Sequence, residues 1–140
     1  MRVRRGRQEN SASELFTKTF TGVVYGDPIV SGEGEAAIRV ASVLFDPGAR
    51  TYWHSHGRGQ VLLVTSGEGR VQSAGGDGRR IRTGDVVQVD PGEVHWHGAG
   101  PDTYMVHTAV SLGITDWSNE VTDAEYGAVL TTEKASGSPG

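Results

Sequence analysis

From residue 20 to residue 110 the chain never settles into the three-to-four-residue apolar rhythm of a helix. It runs instead in short stretches rich in Val, Ile, Thr and aromatics, cut every 8–12 residues by glycine or proline turns. Strands are expected at 20–26 (stopped by Asp27-Pro28), 36–45, 50–56, 60–67, 70–74, 85–90, 95–99 and 103–110. GGDG at 75–78 is a hairpin turn, because its glycines accept positive φ. Helix signals come only at the end, where TDAEYGAV (122–129) carries Thr122 as N-cap and Glu125 three residues later. Strands with no intervening helices point to a sandwich or barrel: an all-β domain with one short C-terminal helix.

The 21 glycines and five prolines suit such a turn-rich fold, and 140 residues suit one domain. Its expected span is 15–130, between a basic N-terminal tail (1–14, including MRVRRGR) and a small-residue tail at 131–140. A net charge of −4 argues against a nucleic-acid partner, and no apolar run is long enough to span a bilayer. A cytoplasmic location is the default expectation. There are no cysteines, so disulfide and thiolate chemistry are absent.

All five histidines fall within the expected strands. His54/His56 and His95/His97 each sit two apart, so each pair points to one side of its strand. A single H-x-H is commonly structural; two in one small β domain favour a metal site. Three neutral imidazoles and an oxygen donor suit Mn, Fe, Ni, Co or Zn. Gln60 offers the oxygen, with His97 or His107 the alternative for completing the set. Trp53 and Trp96, each preceding a histidine, face the other way and are expected in the packing. Tyr52 shares the parity of His54. It, Ala41, Val43, Leu62 and Val64 are the candidate substrate-pocket residues. Arg58 is expected on the surface.

These residues resemble the two-part signature of the cupin family. Gly48, His54, His56, Gln60 and Gly67 reproduce the spacing of the first part, with glutamine in place of the usual glutamate. GDVVQVDPGEVH (84–95) resembles the second, with the proline shifted to Pro91 and Ala99 in place of a later asparagine. The resemblance implies a double-stranded β-helix, a jelly-roll barrel. Across roughly 15–128 the chain is most similar to the manganese-dependent bacterial cupin hydroxynitrile lyases, within a group that includes carboxymuconolactone-decarboxylase-like and quercetin-dioxygenase-like cupins. That similarity implies His54, His56, Gln60 and His95 as ligands to a divalent metal, manganese foremost, and His107 as a further pocket histidine. Ser111 stands where those lyases carry an amide.

Four uncharged ligands leave a divalent cation its full charge, which favours activation of a hydroxyl or carbonyl oxygen over oxygen insertion. The expectation is a lyase acting on a small molecule, with His107, or else His97, moving the proton. A quercetinase-like dioxygenase and a non-catalytic metal- or ligand-binding cupin are the alternatives. A homodimer or homotetramer is expected, with FTGVVYG as the segment exchanged between subunits.

Overall fold

The computed structural model describes residues 1–7 and 11–136. Two antiparallel layers curl against each other. One contains β1 (Glu14–Leu15), β3 (Val24–Ser31), β4 (Ile38–Phe45), β11 (Met105–Leu112), the first half of β7 (Gln60–Ser73) and β9 (Val86–Val89). The other contains β2 (Phe20–Thr21), β5 (Arg50–Thr51), β6 (His54–His56), β8 (Gly78–Arg82), β10 (His95–Ala99), β12 (Thr115–Trp117) and the second half of β7. The expected strands at 60–67 and 70–74 are therefore one long strand shared by both layers. It turns the corner at Gly67, where φ is +73° and an added Cβ would lie 2.0 Å from the carbonyl oxygen of Tyr104.

Asp27-Pro28 does not stop the first strand. Residues 20–21 form β2, and β3 begins at Val24 and runs through Pro28 to Ser31, with a register shift between Pro28 and Val30. β1 pairs only with Tyr25 and Gly26, so at Pro28 the strand is an edge and needs no N–H on its outer side. The expected strand at 50–56 is broken at residues 52–53 into β5 and β6. β8 and β12 were not foreseen; at three residues, β12 is too short to show alternation.

The helix α1 (Asp123–Ser136) has the expected capping box, with Glu125 N donating to Thr122 Oγ1 at 3.1 Å and Thr122 N to the Glu125 carboxylate at 3.0 Å. It runs past residue 129, so the expected tail at 131–140 begins as helix. Residues 137–140 of that tail, and 8–10 of the N-terminal one, lie outside the described residues. Residues 1–7 carry no strand or helix. α1 packs Tyr126 and Val129 over Trp96 on the outer face of β10, with Trp53 alongside. Buried Arg50 anchors its start through the Val121 carbonyl (2.8 Å) and Asp123 (2.8 Å).

Val24, Val43, Phe45, Val64 and Met105 pack together in the interior, and Val43 and Phe45 also border the cavity. The cavity beside them has a volume of about 290 Å³ and is bordered from the N-terminal segment by Phe16 and Phe20, whose rings lie 5.3 Å apart. Phe16 seats on Gly26, where an added Cβ would come within 2.1 Å of its ring. No helix among the described residues is long and apolar enough to cross a membrane.

Candidate metal centre

The barrel brings all five histidines into one buried cluster. β6 carries His54 and His56 with their rings 4.9 Å apart; β10 carries His95 and His97; β11 carries His107. Pairing of β6 with β10 sets His95 opposite His54, with ring centroids 4.3 Å apart. Nitrogens of His54, His95 and His97 all lie within 4.8 Å of one another. His56 sits beside this group, 5.6 Å from His95 ring to ring.

Outer partners orient the rings. His54 Nδ1 donates to the Tyr52 carbonyl at 2.8 Å, and His95 Nδ1 to the Glu93 carbonyl at 2.9 Å. His56 Nδ1 meets Thr115 Oγ1 at 3.1 Å, leaving its Nε2 buried with no partner. In each ring the nitrogen tied outward leaves Nε2 to the interior, the arrangement by which a supporting oxygen fixes the tautomer of a ligating histidine.

Gln60 is held between Ser111 and His95. Its Nε2 donates to Ser111 Oγ at 3.0 Å, which turns Oε1 towards His95 Nε2 at 2.8 Å. A neutral His95 carries its one N–H on Nδ1, donated to the Glu93 carbonyl, so its bare Nε2 faces the Gln60 oxygen at that distance. The contact is relieved by a cation, by a proton, or by a turn of the amide that gives His95 its N–H₂ and takes the Ser111 hydroxyl proton on Oε1. Burial opposes the proton and pushes the His95 pKa down. The spacing matches neighbouring ligand atoms around a cation with bonds of about 2.1 Å. The residues present fit a divalent metal.

Burial first, and the neighbouring imidazoles after it, lower His54 to about 2 and His56 to about 4. Burial also lowers His107 to about 4, and burial with the charge of His107 takes His97 well below its ordinary value. At neutral pH all five rings are uncharged, with lone pairs available. His97 and His107 form their own pair: Nδ1 of the first lies 2.9 Å from Nε2 of the second, and His97 Nε2 and His107 Nδ1 are buried without partners.

Ala41 and Val43 border the cavity, as do His54, His56, Gln60, His97 and His107, while His95 is fully buried within the cluster. Tyr52, Leu62 and Val64 do not border it. Tyr52 lies in the break between β5 and β6, so strand parity does not reach it, and Thr51 takes the cavity-facing position instead. Leu62 and Val64 are buried, as parity requires, but parity selects a face without saying whether the space before it is filled.

Several neighbours went unread in the sequence. Trp117 stacks on His54 at 4.5 Å and 29°, and Thr115 supports His56. Both belong to the short β12. Arg39 also borders the cavity, on the parity that selects Ala41 and Val43; a charge in an apolar run discourages that reading.

Residues 41–110 match the cupin domain family. A protein of Granulicella tundricola named (R)-mandelonitrile lyase is 48% identical over 111 residues, covering 76% of this chain and 85% of that relative. The crystal structure of a cupin-like protein from Thermotoga maritima superposes with a TM-score of 0.79 at 40% identity, covering 87% of this chain and 97% of that one. A predicted oxalate decarboxylase of the same organism, at 22% identity and a TM-score of 0.66, shares the fold over 81% of this chain and 100% of its own.

Proposed function

The chain belongs to the cupin domain family, and from that premise we propose that it is a metal-dependent lyase acting at the hydroxyl or carbonyl of a small molecule. His54, His56, His95 and Gln60 hold the metal, manganese before iron, nickel, cobalt or zinc. The observation that carries this is the buried imidazole cluster whose outer nitrogens are engaged: nitrogens of His54 and His95 lie within 4.8 Å of each other, His56 Nε2 is buried with no partner, and the Gln60 amide lies 2.8 Å from His95. The name of the 48% identical relative supports the reaction class. A divalent cation there supplies Lewis acidity towards a substrate oxygen and lowers the pKa of a hydroxyl.

The protein supplies the proton chemistry. With the shared proton on His97 Nδ1, His97 Nε2 is a bare base. When it takes a proton from the substrate the pair gains one positive charge, spread over His97 and His107 through the shared proton. The proton on His97 Nε2 is the one returned when the pair acts as an acid. One pair thus serves both directions of a reversible cleavage, for a cyanohydrin the release of cyanide and its addition to an aldehyde. Ala41, Val43 and Ala109 give the apolar wall against which the substrate body lies.

Elemental analysis of protein purified without added metal, followed by mandelonitrile cleavage after loading with manganese or iron, tests the proposal. The expected result is benzaldehyde release with manganese, lost on chelation. Oxygen uptake by the iron-loaded protein without cyanide release would instead establish a dioxygenase. Separate His56→Ala and His97→Ala variants test the ligand set: the first is expected to lose metal and the second to keep it.

A further inference from the structure

The register of four neighbouring strands sets Ser31 (β3), Arg39 (β4), Ser111 (β11) and Gln60 (β7) in one row across the barrel wall. All four border the cavity. Exposure falls along the row: Ser31 is exposed, Arg39 half-buried, and Ser111 and Gln60 are buried. The row leads from solvent to the histidine cluster.

Arg39 is the one permanently charged side chain among the described residues that line the cavity. The guanidinium carries five N–H donors. One is used: Nη2 donates to Thr115 Oγ1 at 2.6 Å, and no carboxylate among the described residues pairs with it. Ser111 Oγ accepts from Gln60 and keeps its own proton to give. A guanidinium fork with hydroxyls on either side, set in an apolar wall, matches the two oxygens of a carboxylate. A cyanide ion, with one lone pair at each end, does not match a fork.

We propose that Arg39, aided by Ser111 and Ser31, binds a carboxylate of the substrate, which makes the substrate class a small hydroxy or keto acid lying with its carboxylate towards Arg39 and its other oxygen towards the histidines. This rests on the reading of the histidine cluster as the reaction centre. The apolar stretch beyond the row, Ala41, Ala109 and Val43, receives the rest of the molecule.

Calorimetric titration of the manganese-loaded protein with mandelate, its neutral amide and cyanide, with metal content measured alongside, tests this. Mandelate is expected to bind wild type at least about tenfold more tightly than the amide. Arg39→Gln is expected to remove that preference while leaving amide binding, cyanide binding and bound metal unchanged. Equal affinities in wild type overturn the proposal, as does a preference that survives Arg39→Gln. Loss of metal in that variant makes Arg39 a support for Thr115 and His56 instead, and loss of cyanide binding alone makes it a cyanide site. Should Arg39→Gln not fold, Arg39→Lys keeps the charge without the fork: a weakened or lost preference for mandelate is expected, and an undiminished one overturns the idea. A carboxylate preference without cyanide release from mandelonitrile removes only the lyase reading; cyanide release without the preference removes only this one.

Discussion

Ser111 and His107 sit on the same face of β11 and have different work. Ser111 hydrogen-bonds the end of the Gln60 amide that lies away from His95; without that bond the side chain loses its anchor beside the histidines. Ser111→Ala is therefore expected to weaken metal binding or turnover by about 10–100-fold, the usual effect of losing an outer partner, measurable by metal competition. Among the described residues, His107 is hydrogen-bonded to the cluster through His97. His107→Ala is expected to keep the metal and lower turnover by about 10²–10⁴-fold, the range for a lost proton-transfer group. Metal lost from His107→Ala would make it a ligand. Both roles depend on atoms that sequence spacing does not specify: which end of an amide faces inward, and which nitrogen of a ring carries the proton.

Among the elements, β10 is the one on which most depends, since one face holds His95 and His97 and the other is covered by α1 through Trp96. The helix is a clamp on the back of the histidine strand. Thr122→Ala removes one half of its capping box and is expected to cost about 1 kcal/mol, seen as a lower urea midpoint with metal content unchanged. That cap was legible, because a capping box is a local pattern of four residues. So were the two H-x-H strands, whose alternation is written in adjacent side chains. The path of β3 through Pro28 was not, because a proline is tolerated or forbidden according to which neighbour lies beside it. Nor was the break at 52–53, which moves the cavity-facing position from Tyr52 to Thr51. β12 escaped for another reason: its stacking of Trp117 on His54 is a contact across more than sixty residues of chain.

For the molecule as a whole, the buried imidazoles set a pH dependence. His56 and His107 titrate near 4 in the fold and near 6.5 when unfolded, so between those values the unfolded chain binds more protons. Stability is therefore full above about pH 6.5 and falls as acid is added down towards pH 4, by up to about 1.4 kcal/mol per pH unit for each ring. Urea midpoints at pH 8, 6 and 5 check the sign, and midpoints that do not move between 6 and 5 contradict it. Protons also compete with any bound cation, which steepens the loss. Phe16 and Phe20 belong to a different economy. They come from the segment preceding the main barrel strands, and Phe16 keeps its place by resting on a bare glycine backbone. The ceiling of the chamber is thus encoded apart from its chemistry, so a lineage or an engineer can reshape what is admitted by editing a handful of early codons while the reacting apparatus stays as it is.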